Sequence, residues 1–228
     1  MNKVLLTSLL FLLINTIGVS QKFDKVKLDN YFNVLEKNNK FMGSVAVSKN
    51  GELIYSKSIG YADLENNIKA TEKTKYRIGS ITKSFTTVLI LKAIEKKKLD
   101  INETIDTWFP TIKNSKKITI KQLLTHRSGI HNFTNNVDYL QWNTQSKTEM
   151  EMIEIIKKGG SDFQPNTRAA YSNSNFVLLT FILEKTFNMS YSELVQNYIV
   201  KPLRLTNTYV FGKINPKNNE SKSYNYLG

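Results

Sequence analysis

The sequence predicts a mixed α/β (α+β) chain, with a helix and an antiparallel hairpin first and a run of helices after them. Three observations carry this. An Asn50-Gly51 turn separates two alternating stretches, Gly43 to Ser48 and Leu53 to Ile59, the pattern of a two-residue hairpin loop. The run from Ile81 to Ile94 is apolar and of helical length. Three boxes, Thr119 with Gln122, Thr148 with Glu151 and Ser190 with Glu193, have the spacing in which cap and third residue satisfy each other's backbone N–H groups.

Taken in order, residues 1–20 read as a signal peptide. Lys3 precedes an apolar core from Val4 to Leu13, and the small residues Gly18 and Ser20 suit cleavage after Ser20. The apolar stretch is short for a membrane span. Asp24 to Asn38 sets Val26, Leu28, Phe32 and Leu35 among polar residues, an amphipathic helix. The hairpin follows, then the connector Tyr76-Arg77-Ile78-Gly79. In the next helix apolar side chains nearly encircle the axis, which marks it as buried. Gly159-Gly160 is expected to close the middle helix and Pro202 to limit the last. Helices therefore occupy about 80–201, within a helical subdomain of about 80–210. The tail, 212–228, is polar and without a period, and there is no internal repeat. A lone hairpin is marginal in water, so further strands are expected to cover it.

The net charge is +13, carried by 28 lysines and four arginines. The longest basic run is only Lys96-Lys97-Lys98, and dispersed lysines describe a solvated surface rather than a nucleic-acid face. Such a surface attracts anionic cell-wall polymers or lipid head groups. No cysteine is present, so there is neither a disulfide nor a lipid-anchored cysteine. With two histidines, no G-x-S-x-G and no H-E-x-x-H, neither an α/β-hydrolase triad nor a zinc site is expected, and no cofactor is implied.

Ser80-Ile81-Thr82-Lys83 fits S-x-x-K. Among 18 serines and 28 lysines such a match arises readily by chance, so its setting decides. Ser80 follows Gly79 where the apolar helix begins, near the positive end of the dipole. Lys83 lies one turn on, on the same face. A serine hydroxyl becomes a useful nucleophile when a neighbouring base takes its proton, and a partly desolvated lysine suits that task. A plain N-cap and a surface lysine are the alternative, although a lysine in the first turn opposes the dipole. Tyr171-Ser172-Asn173 places a phenol and an amide two residues apart on a loop entering a helix. The phenol can relay a proton and the amide can hold a substrate carbonyl. Tyr31-Phe32-Asn33 has the same pattern but sits on the surface of the first helix.

The stretch Tyr76 to Thr86 resembles the nucleophile segment of class C-type β-lactamases, D-Ala-D-Ala carboxypeptidases and related esterases. Leu123-Leu124-Thr125-His126-Arg127-Ser128-Gly129-Ile130 is similar to their L-L-T-H-x-S-G-[LI] segment. Tyr171-Ser172-Asn173 is similar to their Y-x-N box, and Lys201-Pro202-Leu203 with Thr206-Asn207-Thr208 to the segment after it. The resemblance runs from about 41 to 210. It implies the β-lactamase/transpeptidase-like fold, an antiparallel sheet subdomain plus a helical subdomain with the site between them. It implies acylation of Ser80, proton work shared by Lys83 and Tyr171 with the acylation base left open, substrate orientation by Asn173, and a structural His126 bonding nearby backbone. Two departures stand out. Asn166 occupies a place usually held by glycine, and no K-[TS]-G or H-x-G follows residue 173. The strand bearing that third box, with its oxyanion-hole amide, is expected beyond residue 228. The implied function is a serine hydrolase, residues 21–228, acting on a β-lactam, a D-amino-acid peptide or an ester. The alternative is a non-catalytic binding or sensing relative. Expected partners are a small-molecule or peptide substrate and cell-wall peptidoglycan, with no nucleic acid and with the membrane met only through the N-terminal segment. The expected location is periplasmic or extracellular.

Overall fold

A computed structural model describes residues 23–210 and 212–224; the signal peptide read at 1–20 lies outside them. The fold is mixed α/β, and the described residues divide into two compact units, one of residues 23–76 with 214–224 and one of residues 77–210 with 212–213.

In the first unit, helix α1 (Lys25–Lys37) starts at Asp24, whose carboxylate accepts the Lys27 N–H at 3.0 Å. It is followed by the hairpin β1 (Gly43–Lys49) and β2 (Glu52–Ile59), paired antiparallel with an irregularity between Val47 and Ser48. Asn50 and Gly51 both take positive φ, 52° and 83°, as a two-residue turn matched to strand twist requires. Polar contacts anchor α1 to β2. The Tyr55 hydroxyl donates to Asp29 at 2.9 Å and Lys57 Nζ to the same oxygen at 3.2 Å, while Phe32 stacks on the Tyr55 ring.

Two short strands, β3 (Tyr61–Asp63) and β4 (Ile68–Lys69), form a second antiparallel pair. The polar tail belongs here too. Lys75 pairs in parallel with Glu220, and the Lys222 N–H donates to the Ala62 carbonyl at 2.9 Å. Lys222 Nζ reaches the buried Asp63 carboxylate at 2.9 Å and Glu65 at 3.0 Å. Burial pushes the Asp63 carboxyl up, but hydrogen bonds from Asn66 and Lys222 outweigh it and hold it well below the usual range.

The second unit is helical. A 3-10 turn, Gly79–Ile81, leads into α2 (Thr82–Glu95). After it come α3 (Ile120–Leu124), α4 (Tyr139–Trp142), α5 (Glu149–Gly159), α6 (Asn173–Phe187) and α7 (Tyr191–Val195). All three capping boxes form, at Thr119, Thr148 and Ser190. The core is built on α6, whose Leu178, Leu179, Ile182 and Leu183 are fully buried, packed with Leu89 and Ile90 of α2 and Leu123 of α3. Gly160 caps α5, as its place after Gly159 suggested.

Two expectations need correction. Helix α2 is buried on one face only: Thr86, Leu89, Ile90 and Ala93 point inward, while Val88 and Leu91 are exposed. An apolar circumference reports hydrophobicity, not a partner for every side. Nor does Pro202 end the last helix. After α7 the backbone widens into a π-type turn, Gln196–Val200, and a further turn α8 (Lys201–Leu203) takes the proline in its first positions. There the missing N–H costs nothing. Arg204, at φ 55°, makes the stop.

Candidate functional site

The four residues singled out in the sequence, Ser80, Lys83, Tyr171 and Asn173, come together within the second unit. Ser80 sits in the 3-10 turn ahead of α2, reached through Gly79 at φ 53°, a backbone conformation that suits glycine. Lys83 is in the first turn of α2, three residues on, and its Nζ donates to Ser80 Oγ at 3.1 Å. Tyr171 and Asn173 arrive from the extended segment that enters α6. Ser172 between them has φ −143° and ψ 121°, and in extended backbone alternate side chains point to opposite sides. Ser172 is accordingly buried, with its hydroxyl toward the His131 carbonyl, while Tyr171 and Asn173 face the serine.

The Tyr171 hydroxyl lies 2.8 Å from Ser80 Oγ and 3.2 Å from Asn173 Oδ1. Lys83 Nζ donates to that same Oδ1 at 2.8 Å and stands 4.9 Å from the centre of the Tyr171 ring. One ammonium, one phenol and one amide thus converge on a hydroxyl. Ser80 and Tyr171 are open to solvent; Lys83 and Asn173 are half-buried. Partial burial pushes the Tyr171 phenol up. The Lys83 ammonium and the Ser80 hydrogen bond act the other way and prevail, leaving it below the ordinary tyrosine value. A cation beside a phenol stabilises the phenolate.

Local sequence gives no sign of what holds Asn173. Its Nδ2 donates to Thr134 Oγ1 at 3.1 Å, and its backbone N–H donates to Asn132 Oδ1 at 2.9 Å. Both partners belong to the short 3-10 turn Phe133–Asn135 and its N-cap position, where no period or capping side chain draws attention to them. Ser128 Oγ, just before Gly129, donates to the buried Asn175 Oδ1 at 2.7 Å, tying the chain that leads into this turn to α6. Asn166, which stands where glycine is usual, takes φ 68°, and asparagine is the side chain that best tolerates that region. Its amide oxygen accepts from Arg127 Nε at 3.2 Å. Tyr31 lies exposed on α1, in the first unit.

The Beta-lactamase family model matches residues 33–227. A teichoic acid D-alanine hydrolase from Staphylococcus aureus (strain MRSA252) is 33% identical over 201 residues, 88% of this chain and 48% of that protein. The chain therefore spans about half the length of the curated relatives it matches. Among solved structures, FmtA from Staphylococcus aureus superimposes with a TM-score of 0.74 at 32% identity, covering 89% of this chain and 55% of the other. The D-amino acid amidase from Ochrobactrum anthropi SV3 also gives 0.74, at 26% identity over 88% and 58%. With its serine, lysine and tyrosine gathered on one hydroxyl and most of its length matched, the chain belongs to the beta-lactamase family.

Proposed function

We propose that this chain is a serine hydrolase that works through an acyl-enzyme on Ser80. The observation that carries the reading is the placing of Ser80 Oγ between the Tyr171 hydroxyl, 2.8 Å away, and Lys83 Nζ, 3.1 Å away. Tyr171, its phenol lowered by the neighbouring ammonium, takes the proton as Oγ attacks a carbonyl carbon. The new C–O bond gives a tetrahedral oxyanion, for which the Ser80 N–H at the head of the α2 turn is a donor. Tyr171 then returns the proton to the leaving group as the old bond breaks. Water, deprotonated by the same phenolate, releases the acid. Lys83 favours the phenolate form of Tyr171 and, through Asn173 Oδ1, has its own position fixed. One Asn173 N–H bonds Thr134, and the second serves a substrate carbonyl.

For the substrate, the relatives favour an acyl group with D configuration at its α-carbon, as an ester or amide. One acts on the D-alanine of teichoic acid and another on D-amino acid amides, as their names state. The charge of +13 suits an anionic polymer carrying D-alanyl esters, and a substrate of that kind supports a location outside the cytoplasm. Strained β-lactams are reactive acyl donors of the same class. The test is hydrolysis of paired D- and L-alanyl nitrophenyl esters. Faster release from the D ester is expected; equal rates, or preference for L, would overturn the substrate reading.

A further inference from the structure

Half of the Tyr171 side chain is exposed, so its position against Ser80 depends on what grips it from beneath. That is His126. The imidazole packs under the Tyr171 ring with centroids 4.7 Å apart and touches the Phe176 ring at 5.3 Å. Its Nδ1 accepts the Ser172 N–H at 3.2 Å and faces Asn175 Nδ2 at 3.4 Å. Its own carbonyl accepts the Ala170 N–H at 2.9 Å. The residues on either side of Tyr171 are thus both bonded to His126, and the ring between them rests on it. We infer that His126 is a positioning residue for Tyr171, a clamp that operates only as the neutral imidazole with its proton on Nε2. The inference rests on the reading of Ser80 and Tyr171 given above.

The tautomer follows from donor and acceptor arithmetic. A backbone N–H can only donate, so Nδ1 must be bare. Protonation there would set two N–H groups against each other and bring a second cation toward Lys83. The titratable groups that face the imidazole are Lys83 from α2 and Tyr171 from the segment before α6. Burial, and then the Lys83 charge, push the imidazole below its ordinary value of 6.5, so the clamp holds at neutral pH. His126 has φ 55°, which asparagine also tolerates.

The experiment is the rate of Ser80 acylation by a fluorophosphonate, with the inactivation rate constant and the probe's binding constant measured separately on the 228-residue chain. His126→Phe keeps an aromatic face and loses the acceptor. The rate constant should fall about ten- to a hundredfold, as a misplaced catalytic group requires, with binding of the probe unchanged. His126→Asn supplies an amide oxygen to the Ser172 N–H, and should recover much of the loss. Below pH 6.5 the wild-type rate should fall more steeply than the titration of Tyr171 alone produces, and this added step should be absent from His126→Asn. In parallel, 15N NMR of a chain with only two histidines reads the tautomer directly, and a bare Nδ1 on His126 is expected. An Nδ1–H tautomer, or a His126→Phe rate equal to wild type, would overturn the clamp. If the wild type is not acylated at all, the reading of Ser80 fails, and the NMR spectrum still decides the clamp.

Discussion

The Tyr171 hydroxyl and Ser80 Oγ lie 2.8 Å apart although 91 residues separate them in sequence. Two local features make this meeting: a glycine at positive φ that presents the serine ahead of α2, and the extended Ser172 that turns Tyr171 and Asn173 to one side at the start of α6. Packing of α2 on α6 through Leu89, Ile90, Leu178 and Leu179 then fixes the two starts against each other.

Loss of the phenol is the sharpest probe of proton transfer. Tyr171→Phe should lower the acylation rate about 10²- to 10⁴-fold, the usual worth of a placed general base. In the wild type the proposed mechanism has the rate rise with pH and level off above a midpoint lower than 10, because it uses the deprotonated phenol, whose pKa Lys83 lowers. Stopped-flow acylation across pH measures both. A Phe variant with an unchanged pH profile would reassign the base.

Thr134 is expected to matter through Asn173. Thr134→Val removes the hydroxyl that accepts from Nδ2, leaving the amide free to turn away from Lys83. Acylation should slow about tenfold, while stability changes by about 1 kcal/mol, the net worth of one hydrogen bond. Comparing inactivation kinetics with urea unfolding separates the two effects.

The Asp63–Lys222 pair should make the first unit's stability depend on pH at both extremes. The Asp63 carboxyl is held below its ordinary 3.8, so its contribution is present above that pH and fades as pH falls beneath it. Lys222 is raised above 10.5, so its contribution fades as pH climbs past that value. Lys222→Met should lower the melting temperature at pH 7 and flatten the acid slope; an unaltered slope would place the acid sensitivity elsewhere.

In the helical core, Leu179 is completely buried. Leu179→Ala should cost about 2–5 kcal/mol, the lost transfer energy plus a cavity, read as a lower urea midpoint with an unchanged slope.

Much of this was legible because the signals are local. Asn50-Gly51 announces its own turn, and Thr119, Thr148 and Ser190 each carry the partner that completes the cap three residues on. Ser80 and Lys83 share one helical turn, and Tyr171 and Asn173 one extended segment, so each half of the site has a spacing to read. What stayed hidden is long-range and polar. Nothing in Asn132 or Thr134 marks them as the supports of Asn173, and a tail without hydrophobic period gave no hint that Lys222 would reach Asp63 across 159 residues. Pro202 misled for a different reason: a proline stops a helix only where its N–H is needed, and the π-type turn before it removes that need.

The central claim is that Ser80 is an acylated nucleophile, and mass spectrometry of the intact chain after incubation with a fluorescent penicillin or a fluorophosphonate tests it most directly. One adduct per chain is expected, on the peptide that contains Ser80, and absent from Ser80→Ala. That variant should fold as the parent does, because the serine is exposed and surface substitutions rarely shift stability by more than about 0.5 kcal/mol. An adduct on another residue, labelling that survives Ser80→Ala, or reversible binding with no adduct would contradict it.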